Sequence, residues 1–167
     1  MNAIPLATND PPLHETTRPT PPVRLNLPDG GLARTQDELR SRSKGVRESL
    51  VLWAGRPGPS DGVDITHVLS LECPASDLRL VVPMSERLAA LEFVRREGLL
   101  IFADLHTHPG AAFLSEADRA RPFGSKEGFY AIVVPEFAAA AAPEGWAMYE
   151  ARAGEWFPVD VSERIAG

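Results

Sequence analysis

Two histidines one residue apart are the part of this 167-residue chain best suited to chemistry. His106 and His108 follow the apolar run 99–103, which is typical of a buried strand. Because residues i and i+2 of a strand face the same side, both imidazoles should project together from its C-terminal end. Pro109 and Gly110 then turn the chain. The spacing therefore predicts two neighbouring imidazoles at the end of a strand.

A hydroxyl and a carboxylate follow this turn. Ser115 and Asp118 have the spacing of a capping box, which would begin a short helix and present both side chains on one side. Two imidazoles and one carboxylate are the ligand set of a catalytic zinc site that keeps a fourth position for water. Zinc lowers the pKa of that water from ~15.7 to about 7, which makes hydroxide available at neutral pH. These residues predict a metal hydrolase, whereas an ordinary helix cap after a chance histidine pair is the alternative.

Composition narrows the class of protein. The net charge of −6 argues against nucleic acid as a partner, because phosphates are bound by Lys and Arg. The single cysteine, Cys73, excludes an intramolecular disulfide and a cysteine-built zinc site. No apolar run approaches the roughly 18 residues of a membrane span, and the first residues lack the layout of a signal peptide. We expect a cytoplasmic protein with neither a nucleic acid nor a membrane as partner.

The rest of the chain predicts one domain behind a tail. Residues 1–22 are rich in proline and poor in large apolar groups, so we expect a flexible tail, and residues 23–167 form the domain. Interleaved periodicities predict an α/β (α+β) class with a mixed sheet. The predicted strands are 23–27, 48–55, 63–71, 78–82, the run into the histidines, 129–134, 146–151 and 155–159. The predicted helices are 35–43, capped by Thr35, and 85–97, capped by Ser85.

A further histidine lies inside one predicted strand. Alternation over 63–71 places His67 on one face with Val63, Ile65 and Leu69. We therefore expect His67 to be a hydrogen-bonded core residue rather than a metal ligand.

The chemistry-bearing stretch also resembles a known family. The pattern His-Thr-His-Pro-Gly at 106–110, followed by Ser-Glu-Ala-Asp at 115–118, resembles the signature of the JAMM (MPN+/JAB) zinc-dependent isopeptidases. The resemblance spans roughly residues 25–158 and is closest to short, stand-alone bacterial members. It implies a single domain with a curved, mixed central sheet flanked by helices, the JAB/MPN (cytidine-deaminase-like) fold.

A distant glutamate completes the resemblance. The family carries a glutamate on an early strand and, seven residues later, a glycine that ends the strand; Glu48 and Gly55 stand at this separation. One spacing departs from the pattern, because the loop between His108 and Asp118 is one residue shorter than is commonest in the family.

Roles follow by carrying the family motif onto this chain. The resemblance implies that His106, His108 and Asp118 hold one Zn²⁺ per chain. Glu48 would take a proton from the metal-bound water and pass it to the leaving amine. Ser115 would help to stabilise the oxyanion.

Three other acidic residues are candidates for the same site. Asp104 shares a strand face with the histidines, so it would either accept a hydrogen bond from an imidazole or serve as a solvated or capping residue. Glu38 and Glu72 are alternative bases, and both are disfavoured because neither stands at the entrance to an apolar strand.

The resemblance also implies a substrate and partners. It predicts cleavage after the C-terminal glycine of a ubiquitin-like protein, either from its conjugates or from a precursor, as in bacterial antiphage conjugation systems, with the cognate activating and conjugating (E1/E2-like) enzymes as further partners. The extended tail of that protein would bind beside a strand edge, between the loop 56–62 and the segment after Asp118.

Three other functions stay open. The first is the trimming of a sulfur-carrier-type precursor. The second is a phosphoesterase of the polymerase-and-histidinol-phosphatase (PHP) type, which is disfavoured because no histidine follows His108. The third is a scaffold without activity, which is disfavoured because all five motif positions are filled. Composition also leaves open a binding role for the proline-rich tail, for example in docking to a conjugating enzyme.

Overall fold

The computed structural model describes residues 23–58, 62–74 and 80–166, and the predicted tail 1–22 lies outside these residues. The strands are β1 (Arg24–Asn26), β2 (Leu50–Pro57), β3 (Gly62–Ser70), β4 (Leu100–Thr107), β5 (Tyr130–Val134), β6 (Ala147–Arg152), β7 (Glu155–Val159) and β8 (Ile165–Ala166). The helices are α1 (Gly31–Ser43), α2 (Met84–Glu97), α3 (Glu116–Ala120) and α4 (Val161–Arg164), with a 3₁₀ turn at Glu136–Ala138.

The described strands form one mixed sheet in the order β7-β6-β5-β4-β2-β3-β1-β8. β4 lies near its centre, antiparallel to β2 and parallel to β5. Because β2 and β4 run in opposite directions, the start of β2 and the end of β4 meet at one edge of the sheet. This topology confirms the predicted mixed sheet and brings Glu48 to the histidines.

Helices cover both faces of the sheet. On one face α1 packs over a core that includes Leu39, Trp53 and Leu105. On the other face Ala90 of α2 packs against Leu50 and Leu52. The alternation of residues 50–53 between the two clusters follows from the two-residue period of a strand. The α/β class is confirmed.

Both predicted helix starts are wrong. α1 begins at Gly31, where Gly30 adopts a left-handed conformation (φ 72°) and Thr35 is already inside the helix. The buried Thr35 hydroxyl donates to the Gly31 carbonyl and accepts from Nε1 of Trp53, so it serves the core rather than a cap. α2 begins at Met84, because the extended Pro83 already occupies the position before the helix that Ser85 was expected to fill.

A bulge reverses the faces of β3. The β2–β3 register shifts at Gly55, and Thr66 is left without a partner on β2. The next residue, His67, is therefore exposed, hydrogen-bonded to the Thr66 hydroxyl (2.8 Å) and edge-on to Phe93 of α2. The prediction of a core histidine is wrong, because the alternation on which it depended is interrupted.

The motif predicts that Gly55 ends its strand, but Gly55 lies inside β2, which continues to Pro57. A Cβ atom there would overlap the carbonyl oxygen of Asp64 on β3. The glycine is needed because the neighbouring backbone approaches so closely at the bulge. The predicted strand 78–82 is not formed at Leu80–Val82, and its first two residues lie outside the described part.

Candidate metal centre

The register of two strands places Glu48 beside the histidines. Leu50, the first residue of β2, pairs with His106 on β4. Two residues earlier, the same antiparallel register puts Glu48 next to His108 and on the same face of the sheet. Glu48 lies just before β2, not in it, and is half-buried. A carboxylate and two imidazoles thus meet at one sheet edge.

The predicted metal ligands lie together. Oδ2 of Asp118 is 3.5 Å from Nε2 of His106 and 3.4 Å from Nε2 of His108. One ligand atom from each of the three residues lies within 4.8 Å of the others. Nε2 of His106 is buried and has no hydrogen-bond partner within the described residues. A buried nitrogen without a partner in a cluster of two imidazoles and a carboxylate fits a divalent metal such as zinc.

A capping box delivers Asp118 to the histidines. Ser115 is the N-cap of α3, and its backbone N–H (2.8 Å) and hydroxyl (2.6 Å) both donate to Oδ2 of Asp118. The N–H of Asp118 donates back to the Ser115 hydroxyl (3.2 Å). The shorter loop therefore still brings the carboxylate into place. The structure gives Ser115 the task of orienting Asp118, and its role at an oxyanion stays a prediction.

Asp104 lies behind His106. It is buried, with Oδ1 3.8 Å from Nδ1 of His106 and Oδ2 accepting from the N–H of Phe123 (3.3 Å). Burial contradicts the solvated alternative and favours a role in orienting the imidazole.

The acidic and basic groups of the cluster shift each other's pKa values. Burial opposes protonation of His106, but the neighbouring Asp104 and Asp118 carboxylates outweigh this effect and raise its pKa to about 9. Burial disfavours the Asp118 carboxylate, but its contacts with His106 and His108 outweigh that effect and hold its pKa far below the usual range. A metal ion must therefore displace a proton when it binds.

Glu48 has the character of a base. Burial raises the pKa of its carboxyl group, and the nearby imidazoles oppose part of this shift. A backbone hydrogen bond from Leu80 favours the carboxylate form. A carboxylate with a raised pKa is better matched to proton transfer near neutral pH.

The alternative bases are engaged elsewhere. Glu38 accepts from Nε of Arg42 (2.6 Å) and from the Ser70 hydroxyl, and Glu72 pairs with Nη1 of the same arginine (2.6 Å). Neither glutamate lines the cleft at the metal centre.

An open cleft of about 1160 Å³ contains the site. The segment after Asp118 lines it, as expected. Of the other predicted wall, 56–62, the described residues 56–58 and 62 do not line the cleft, because β2 carries the chain away from Glu48, and residues 59–61 lie outside the described part. The lining includes instead Leu80–Val82, which were predicted to be part of a strand, and Arg87 of α2. Phe113 is 55% exposed at the rim and meets the His108 ring edge-on at 5.2 Å.

No helix in the described ranges is long and apolar enough to cross a membrane.

Comparisons with known proteins place this site in context. No family model matches the chain. Probable metalloprotease y4jG from Sinorhizobium fredii (strain NBRC 101917 / NGR234) is 30% identical over 115 residues, which are 67% of this chain and 71% of the relative. Protein DSY2949 from Desulfitobacterium hafniense shares the fold, with a TM-score of 0.63 and 17% identity over 85% of this chain and 91% of that one.

The JAB1/MPN domain protein AF2198 from Archaeoglobus fulgidus is also similar, at 20% identity over 86% of this chain and 97% of that one, but its TM-score of 0.47 is too low to bear on the family. The similarity to y4jG covers more than two thirds of that metalloprotease. The ligand set that such an enzyme needs is assembled in this chain by His106, His108 and Asp118. The chain belongs to the JAMM (MPN/JAB) family and is a metal-dependent peptidase.

Proposed function

We propose that this protein is a zinc-dependent isopeptidase or peptidase that cleaves after the C-terminal glycine of a ubiquitin-like protein. One observation carries the proposal: Glu48 lies beside the cluster of His106, His108 and Asp118 but is not one of its ligands. Hydrolysis by such a site needs a base that stands next to the metal and does not bind it.

The residues divide the work between them. When bound by the two imidazoles and the Asp118 carboxylate, zinc would polarise the scissile carbonyl and make hydroxide available at neutral pH. The Glu48 carboxylate accepts the proton of the attacking water and donates it to the nitrogen of the leaving amine. The Ser115 hydroxyl donates to Asp118 in the structure, and to stabilise the developing oxyanion it would have to turn and donate its single proton there instead.

The shape of the cleft supports a protein tail as substrate. It is open rather than enclosed, and its lining includes Leu80–Val82 and the segment after Asp118. An extended peptide fits such a channel through main-chain hydrogen bonds, which demand little from its side chains. A glycine at the cleaved position has no side chain to clash with the Phe113 rim. Conjugates of the ubiquitin-like protein and its activating and conjugating enzymes are the partners that this proposal implies.

A single metal is favoured over the two or three metals of a PHP-type phosphoesterase. The described residues contain one cluster with metal-ligand spacing, and its members are one carboxylate and two imidazoles.

The test uses purified protein loaded with zinc and a set of ubiquitin-like proteins that carry either a C-terminal fusion or a lysine isopeptide. We expect mass spectrometry to show release directly after the terminal glycine and about one zinc per chain. Glu48→Gln and chelator-treated protein should lose at least about 100-fold in rate, the lower limit for acid–base catalysis. Glu72→Gln is the matched control, because Glu72 is exposed and outside the cleft.

Full activity in Glu48→Gln would contradict the assignment of the base. Cleavage of precursor fusions but not of isopeptides would restrict the activity to maturation, including that of sulfur-carrier-type precursors. Two or three metals per chain would exclude the proposed enzyme class.

A further inference from the structure

A buried hydrogen-bond network lies beneath the metal centre, on the opposite face of the sheet. Thr107 stands between the two histidine ligands and is fully buried, and Ser49, the residue after Glu48, is 3% exposed. Alternation along each strand turns their side chains away from the cleft and toward α1. The sequence motif contains Thr107 without giving it a role, and Ser49 is not part of the motif.

Three contacts join Ser49 and Thr107, and a fourth joins Ser49 to α1. The Thr107 N–H donates to the Ser49 carbonyl (3.0 Å), and the Ser49 N–H donates to the Thr107 hydroxyl oxygen (2.9 Å). The two hydroxyls are 3.3 Å apart, and the Ser49 hydroxyl donates to the Leu39 carbonyl of α1 (2.9 Å). The Thr107 hydroxyl therefore donates to Ser49 Oγ, and both side chains have all their donors used.

This network replaces one bond of the β-ladder. In a hydrogen-bonded antiparallel pair, two opposite residues exchange both of their N–H···O=C bonds. Here the Ser49 N–H binds a side chain instead of the Thr107 carbonyl. The regular pattern of backbone bonds consequently ends at Ser49 while its register with β4 is kept, so these side-chain bonds hold the residue that follows the Glu48 carboxylate.

We propose that Ser49 and Thr107 are positioning residues, which fix the Glu48 carboxylate relative to the His106 and His108 imidazoles. This inference depends on the proposed function only for its kinetic consequence. A buried network in which every donor is used holds its members more firmly than an exposed contact does. Breaking one of its bonds would leave a buried donor with neither a protein partner nor water, which costs free energy. A displacement of about 1 Å at a reacting group costs as much as 10²-fold in rate.

Thr107→Val tests the inference, because it keeps the β-branched shape and removes the hydroxyl. We expect a 10- to 100-fold loss of kcat for a ubiquitin-like fusion, with KM and zinc affinity each changed by less than about threefold. Thr107→Ser should restore kcat to within about threefold of wild type. In a Glu48→Gln background, measured in single turnovers, Thr107→Val should cause no further loss.

The matched control is Thr35→Val. Thr35 is equally buried and its hydroxyl also links two elements, yet it lies outside the cleft. Thr35→Val should lower the melting temperature and leave kcat unchanged. A second readout needs no turnover: in the metal-free protein, amide hydrogen exchange at Ser49 should accelerate at least tenfold in Thr107→Val and stay slow in Thr107→Ser.

The outcomes separate the two proposals. A loss of zinc affinity as large as the loss of kcat, or an equal loss in the Glu48→Gln background, would show that Thr107 acts on the ligands and would overturn the inference. Unchanged exchange at Ser49 would also overturn it. If wild-type protein cleaves none of the substrates, the proposed function fails, and hydrogen exchange alone then decides whether the network fixes this segment.

Discussion

Nε2 of the buried His106 faces Oδ2 of Asp118 at 3.5 Å and has no hydrogen-bond partner in the part of the chain that the structure describes. An unsatisfied nitrogen at this position costs free energy in a protein without metal, unless a proton or a cation is shared between the two groups. This relationship predicts how both stability and metal binding depend on pH.

The stability of the metal-free protein should fall as the pH rises from 6.5 to 9. His106 has a pKa of about 9 in the folded protein against a reference value of 6.5, so its stabilising contribution is complete below pH 6.5 and is lost as the pH passes 9. The depressed pKa of Asp118 gives a contribution that is present above its reference value of 3.8 and is lost on acidification. Chelator-treated protein should therefore lose up to about 3 kcal/mol of unfolding free energy across the alkaline window, as measured by urea denaturation.

A matched pair of variants identifies the group responsible. His106→Asn should flatten the curve between pH 6.5 and 9, whereas His67→Asn, at an exposed histidine, should leave it unchanged. Zinc should remove the alkaline loss, because the metal replaces the proton. A curve of the same slope in His106→Asn would show that another group titrates.

Asp104→Asn should lower zinc affinity about 10- to 100-fold, the range observed when a residue that orients a metal-bound histidine is changed. The structural reason is its buried position behind Nδ1 of His106. Competition with a chromogenic chelator measures the affinity, and activity should return at saturating zinc. Asp29→Asn, at an exposed carboxylate, is the control. Unchanged zinc affinity in Asp104→Asn would show that Asp104 does not orient the His106 imidazole and only accepts the hydrogen bond from Phe123.

The cluster of two imidazoles and a carboxylate and the class of fold were predictable because their signals are local. The period of a strand puts His106 and His108 on one side, and the spacing of Ser115 and Asp118 is that of a capping box, so each prediction depends on a few adjacent residues. The prediction that Glu48 belongs to the site depended on the family motif, because the β2–β4 register that brings this residue to the site is set by distant packing.

Predictions failed where tertiary contacts decide the structure. The alternation around His67 does not reveal the bulge at Thr66, which depends on the pairing of β2 with β3 and lies where their backbones approach closely at Gly55. Thr35 has the sequence of a helix cap, but its hydroxyl is used by Trp53 in the core. The pattern of residues 78–82 predicts a strand, but Leu80 and Val82 instead pack against the cluster of Leu50, Leu52 and Ala90 without forming one.

Gly55→Ala should destabilise the protein by about 2–4 kcal/mol, because a Cβ atom would overlap the Asp64 carbonyl oxygen and force the two strands apart. The expected result is a lower midpoint in urea with an unchanged slope. Gly154→Ala is a useful comparison, since nothing lies within 4 Å of its Cβ position and only its positive φ (81°) opposes the change. Equal losses of stability in the two variants would mean that backbone conformation alone, and not the close approach of Asp64, explains the glycine at position 55.

Ser115→Ala separates the two roles of its hydroxyl. Loss of the bond to Oδ2 of Asp118 should weaken zinc binding, and loss of the cap should cost about 1 kcal/mol of stability. If the hydroxyl also donates to the oxyanion, kcat at saturating zinc should fall a further 10²- to 10³-fold. Titrating zinc at fixed substrate distinguishes the effects: recovery to the wild-type rate at high zinc would assign Ser115 to Asp118 alone, and a persistent loss would add the catalytic role. Ser162→Ala is the control, because Ser162 makes the same kind of hydroxyl–aspartate bond with Asp160 at a cap remote from the cleft.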